Sequence, residues 1–181
     1  MRCSRRRALQ LGAGTGLALG LGGLTGCGAD PTDGGGGRVD AGPLDEVRAA
    51  LAADGVLFVE RARAYLVPVP ADQLEPSLAA YPGEVHEGLR AGLLALHQEC
   101  PHLGCDAPWC ETSTQFECPC HSGIYSSTGE YRAGPADRGM DLRPVSITAD
   151  RVVIDVRRLV RGLPVDVDVS GSQPTGPSCI P

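Results

Sequence analysis

Two short boxes constrain this chain more than anything else in it: Cys100-Pro101-His102-Leu103-Gly104-Cys105 and, a dozen residues later, Cys118-Pro119-Cys120-His121-Ser122-Gly123. Each box supplies one Cys and one His able to reach a common metal centre, and each carries a second Cys that such a centre does not need. Soft thiolates and imidazoles gathered this closely point to a transition metal. Mononuclear zinc uses the same four side chains, yet its finger spacing pairs two close Cys and then two close His. Here the order is Cys, His, Cys, His. That alternation suits a 2Fe-2S cluster with the thiolates on one iron and the imidazoles on the other.

The boxes resemble those of the Rieske iron-sulfur proteins, in the branch found in cytochrome bc-type quinol oxidoreductases, whose pattern is C-x-H-x-G-C followed by C-x-C-H-x-G or C-x-C-H-G-S. The resemblance implies that Cys100 and Cys118 bind one iron and His102 and His121 the other. It further implies a disulfide between Cys105 and Cys120, cysteines that Rieske ferredoxins and ring-hydroxylating oxygenases usually lack. Gly134-Pro135-Ala136 resembles the family's cluster-covering proline loop, with Asp137 where a second proline is usual; an ordinary Gly-Pro turn is the alternative. In high-potential members a Ser two residues after the last His donates to a bridging sulfide, and a Tyr two further on donates to a cysteine ligand. Those positions hold Gly123 and Tyr125 here. One donor is missing and one retained, which lowers the implied potential.

By the same resemblance the fold is all-β, an antiparallel sandwich with a small cluster-binding subdomain inserted at about 96–135. The implied activity is electron transfer from quinol, through a cytochrome b-type subunit, to a c-type cytochrome, as a redox subunit rather than an enzyme on its own. His121 and His102 are the implied contacts for quinol, with Leu103 packing beside them. Two alternatives stay open from the sequence. One is a small subunit of another periplasmic oxidoreductase, such as a molybdenum enzyme; the other is a zinc-stabilised binding lipoprotein without redox activity.

At 181 residues the chain has room for one ordinary domain plus a leader. All 16 basic residues are Arg, and without Arg2, Arg5, Arg6 and Arg7 the remaining 12 face 22 acids. So acidic a surface argues against nucleic acid as a partner. It suits a basic electron acceptor, although acidic faces are commonly just solvated.

The N-terminus reads as an address. Ser4-Arg5-Arg6-Arg7-Ala8-Leu9-Gln10 resembles the twin-arginine export motif, and a Gly-rich apolar run from Leu11 to Leu24 follows. Leu24-Thr25-Gly26-Cys27 resembles a bacterial lipobox, implying cleavage after residue 26 and lipidation of Cys27. An uncleaved anchor is the alternative. It is disfavoured because the run falls short of the ~20 apolar residues of a spanning helix and is interrupted by Gly12, Gly14, Gly16, Gly20, Gly22 and Gly23. Residues 27–43, rich in Gly, Asp and Pro, are expected to form a flexible tether.

The domain is expected over 44–161. Gly55 to Glu60 and Ala64 to Val69 read as a hairpin. Ala71 to Arg90 reads as a short helical insertion broken at Tyr81-Pro82. Gly92 to His97 and Gln115 to Glu117 are strands leading into the two boxes, and Gly123 to Ser126 continues from the second. Val145 to Thr148 and Val152 to Val156 pair across Ala149-Asp150. His86 and His97 have no ligand-like neighbours and read as structural.

An extended tail follows over 162–181. Cys3 leaves with the leader, Cys27 takes lipid, and four cysteines belong to the boxes, which leaves Cys110 and Cys179 of the eight. An exported chain seldom keeps two free thiols, so these are expected to pair and to strap the tail back to the cluster region. A disordered tail with a free Cys179 is the alternative.

Overall fold

The computed structural model describes residues 36–180. Strand β1 (Arg38–Pro43) leads into helix α1 (Leu44–Asp54), and β2 (Leu57–Val59) pairs with β3 (Ala64–Pro68) across a 3-10 turn. Helices α2 (Leu74–Ala80) and α3 (His86–Arg90) form the insertion, and β4 (Leu93–His97) runs into the first box. Strands β5 (Trp109–Cys110), β6 (Gln115–Cys118), β7 (Gly123–Tyr125) and β8 (Tyr131–Ala133) carry the second box. Strands β9 (Leu142–Arg143), β10 (Val145–Thr148) and β11 (Arg151–Asp155) close the domain.

Three antiparallel sheets result, with orders β1-β11-β10, β2-β3-β4-β9 and β5-β6-β7-β8. Strand β4 of the middle sheet is buried on both faces, as its unbroken apolar run requires. Side chains alternate across a strand, so Leu93 and Ala95 face the core shared with Val152, Ile154 and helix α1. Leu94 and Leu96 face the other way, into a core with Phe116, Tyr125, Met140 and Leu142. The second core couples the cluster-bearing sheet to the base. Truncating Leu96 would cost about 2 to 5 kcal/mol.

The hairpin, the insertion broken at Tyr81, the strands flanking both boxes and the β10–β11 pair lie where the sequence places them. The N-terminal boundary differs. The tether expected to run to Pro43 ends earlier, because Arg38–Pro43 is a strand paired with β11, with a bulge between Asp40 and Gly42. Asp40 Oδ1 takes the Gly42 amide at 2.8 Å, and Arg151 pairs with the other carboxylate oxygen. Helix α1 was not expected. It buries Val47 and Leu51 and ends on Gly55, whose φ of 74° suits a left-handed cap. Among the described residues no helix is long and apolar enough to cross a membrane. The leader motif and Cys27 lie outside the described residues.

Candidate metal centre

The first box leaves β4 as a closed turn. Cys100 N donates to Cys105 O at 2.7 Å, and Gly104 N donates to Cys100 O at 3.0 Å. Gly104 sits at φ 79°, a left-handed conformation that glycine adopts without strain. The second box is the β6–β7 hairpin, closed by pairing of Cys118 with Gly123. A disulfide joins Cys105 to Cys120 with Cα atoms 6.6 Å apart, and so ties the two turns together.

The four candidate ligands fall into two pairs. Cys100 and Cys118 are buried free thiols. Burial, and then the neighbouring Cys100, push the Cys118 thiol above its ordinary pKa. His102 and His121 meet edge to face, with ring centroids 4.7 Å apart and planes at 88°. His121 is exposed and His102 half-buried, while Leu103 beside them is 72 % exposed.

This arrangement tests the kind of metal group the residues fit. Among the described residues, the compact metal-capable groups are Cys105, Cys118, Cys120 and Cys110, Glu117, Cys179. Each is a disulfide pair plus one neighbour. The thiol pair and the imidazole pair do not share one such group, whereas a zinc tetrahedron needs all four donors around a single ion. A buried sulfur pair and an outer imidazole pair fit a two-iron centre.

Tyr125 is fully buried and places its hydroxyl 3.0 Å from Cys100 Sγ. Burial, and then Cys100 itself, hold the phenol well above its usual pKa, so it stays protonated. Opposite a thiolate it is then the only possible donor. Gly134, at φ 104°, packs so closely on the second box that a Cβ there would lie 2.7 Å from Gly123 Cα. Its carbonyl accepts the Tyr131 hydroxyl at 2.6 Å. Pro135 is exposed beside this contact. Asp137, in place of a second proline, pairs with Arg138 at 2.8 Å and Arg161 at 3.2 Å. Arg138 also grips Asp141 at 2.7 and 2.8 Å. Charge pairs therefore fasten the loop where a proline ring would have stiffened it.

Residues 69–148 match the family model described as the Rieske [2Fe-2S] domain. This segment is a Rieske domain. Its relatives include the cytochrome b6-f complex iron-sulfur subunit of Synechococcus elongatus, 40 % identical over 63 residues covering 35 % of this chain and 35 % of that protein. Another is the cytochrome b6-f complex iron-sulfur subunit 2 of Nostoc sp., 32 % identical over 99 residues covering 48 % of this chain and 56 % of that one. The matches thus span about a third to just over half of these relatives. Similar solved structures include the plasma membrane Rieske protein of the cyanobacterium Synechocystis, with TM-score 0.44 and 21 % identity over 65 % of this chain and 98 % of that one. The soluble domain of Rieske protein II from Sulfolobus acidocaldarius gives TM-score 0.45 and 20 % identity over 82 % and 98 %.

Beyond the matched residues, the tail returns to the Rieske domain. Arg132 of β8 holds Asp168 at 2.9 Å, and Cys179 is disulfide-bonded to Cys110. Between them lies a contact the sequence did not reveal. Glu117, one residue before Cys118, is buried and accepts from Ser113 Oγ at 2.6 Å, Ser178 Oγ at 2.8 Å, Cys179 N at 2.7 Å and Ile180 N at 3.1 Å. Burial alone would raise its pKa, but these four donors outweigh it and hold the carboxyl below its ordinary value. The only available signal was an acid between Phe116 and Cys118 in a short strand. His97 and His86 are structural: His97 Nδ1 meets Arg63 O at 3.1 Å and His86 Nε2 meets Tyr81 O at 2.9 Å.

Proposed function

We propose that this chain is an exported, membrane-tethered electron carrier whose cluster is held by Cys100 and Cys118 on one iron and His102 and His121 on the other. The observation that carries this is the division of the donors into a buried thiol pair and an outer imidazole pair. With two imidazoles in place of two thiolates among its ligands, the cluster would supply single-electron exchange at roughly −150 to +300 mV.

The chain's own residues do the rest. His121 presents an exposed ring to a donor or acceptor, and His102 packs against its edge. Leu103 supplies an apolar contact beside them for a quinol ring or a haem edge. Tyr125 donates to the Cys100 sulfur and favours the reduced state by stabilising charge there. The Cys105–Cys120 disulfide and the Gly134-Pro135 loop keep the two boxes together.

Relatives that are cytochrome b6-f subunits support quinol, bound at a cytochrome b-type subunit, as donor and a c-type cytochrome as acceptor. The missing donor at Gly123 lowers the potential. It favours a low-potential quinol such as a menaquinol and, as a second reading, another periplasmic oxidoreductase as the partner. The twin-arginine motif at Arg5-Arg6 and the lipobox at Cys27 support export and a lipid anchor on the outer face of the cell membrane.

The test is quinol-dependent reduction in membranes that contain the chain, followed by its visible absorption. Reduction by quinol that disappears in His121→Ala supports the proposal. A protein that only a non-quinol periplasmic donor reduces belongs to the second reading.

A further inference from the structure

The aromatic side chains of this chain are few and unevenly placed. It has two Phe, one Trp and four Tyr, and both Phe, the Trp and one Tyr stack in a single array. Phe58 lies 4.7 Å from Tyr65, Tyr65 lies 5.0 Å from Phe116, and Trp109 lies 5.0 Å from Phe116. Phe116 is the buried backing of this array, whereas Phe58 is 43 % exposed and Tyr65 and Trp109 are half-exposed. The three outer rings line an open groove of about 740 Å³.

The groove lies on the seam between the base and the cluster-bearing sheet. One wall is the end of α1 with the β2–β3 hairpin; the other is β5 and the turn that leads to β6. That turn is at the opposite end of β6 from Cys118, so the groove does not compete with the histidine pair. Asp54 and Glu111 line it, and no Arg or His does so among the described residues. Neither acid has an ion-pair partner among the described residues. Asp106 raises the Tyr65 pKa and so adds to the negative field, behind burial as the larger cause. Arg63, just before β3, is occupied by Glu99 at 3.0 Å and Asp106 at 3.5 Å.

Electron-rich ring faces beside unpaired carboxylates attract organic cations, above all the planar guanidinium, which stacks on a ring and pairs with a carboxylate at once. We propose that this groove docks an arginine-bearing segment of a protein partner. An open cleft of this size on a domain seam suits an extended peptide. Docking there would hold a partner to the chain while His102 and His121 stay free. The inference does not rest on the identity of the electron donor.

Trp109, the single tryptophan, reports directly on the groove. The purified, cluster-containing protein is titrated with a blocked Gly-Arg-Gly-Arg-Gly peptide, with the same peptide carrying citrulline for arginine, and with choline, while Trp109 emission is recorded. The proposal expects a saturable change with the arginine peptide alone, weakening as salt rises. Asp54→Asn with Glu111→Gln should weaken binding about tenfold, and Phe58→Ala should weaken it by a similar factor, with the visible spectrum unchanged in both. No saturable change, equal binding of the citrulline peptide, binding of choline in place of the peptide, or full affinity in the double variant would each overturn it.

Discussion

The Tyr125 hydroxyl lies 3.0 Å from the sulfur of Cys100. It comes from the last residue of β7 and reaches back to a box 25 residues earlier. Replacing Tyr125 by Phe keeps the ring in its core and removes only this donor. The midpoint potential should fall by about 20 to 60 mV, the one-electron equivalent of a hydrogen bond worth about 0.5 to 1.5 kcal/mol. Protein-film voltammetry measures it, and a rise would place the hydroxyl elsewhere in the working protein.

Gly123→Ser should restore the missing donor and raise the potential. The added Cβ, however, meets Tyr125 Oη at 3.2 Å and Cys118 Cβ at 3.5 Å, so the two sites are coupled. In a Tyr125→Phe background, with that oxygen gone, the rise from Gly123→Ser should be larger. Equal rises in both backgrounds would show that the two positions act independently.

The Cys110–Cys179 disulfide closes a loop with a sequence separation of 69, a constraint worth about 4 kcal/mol in the chain-entropy model. Cys179→Ala should lower the unfolding free energy by about that amount in denaturant titrations. Removing residues 177–181 should cost more, because Glu117 then also loses three of its four donors. Since the folded state holds the Glu117 carboxyl below its ordinary pKa, its contribution is present above about pH 4.3 and is lost as pH falls through the folded value. That acid-side loss should be smaller in the truncated chain. An identical acid profile would mean the carboxylate is not held by the tail.

Labelled palmitate should appear on the wild-type protein and vanish in Cys27→Ala, while Arg5→Lys with Arg6→Lys should block export. One acyl chain binds only marginally, so stable attachment needs the several chains of a bacterial lipoprotein. Recovery of a mature protein that retains residues 1–26 would make the leader an anchor instead.

The sequence exposed this site because its chemistry is local. Each box places its donors within six residues, and β4 announces itself by an apolar run, whereas β6 and β7 are short segments with Phe116, Ile124 and Tyr125 beside the second box. The Cys110–Cys179 strap was also within reach, through cysteine counting rather than pattern. Strand β1 was not legible: Arg38–Pro43 has Val39 as its one large apolar residue and ends in Gly42-Pro43, so its extended form comes from pairing with β11. Helix α1 did carry a signal, with Leu44, Val47 and Leu51 at helical spacing and Asp45 and Glu46 in the first turn. The partners of Glu117 and the aromatic groove depend on residues far apart in the chain. No local pattern marks either.

In the proposed centre two cysteines and two histidines of this chain hold a two-iron cluster, with both histidines on the same iron. Iron and labile-sulfide analysis of the purified protein, combined with low-temperature electron paramagnetic resonance of the reduced form with 15N-histidine, tests it most directly. About two irons and two sulfides per chain are expected, with hyperfine coupling to two histidine nitrogens and loss of the signal in His121→Ala. One zinc per chain without sulfide, or an iron-sulfur signal that shows no histidine coupling and survives His121→Ala, would contradict it.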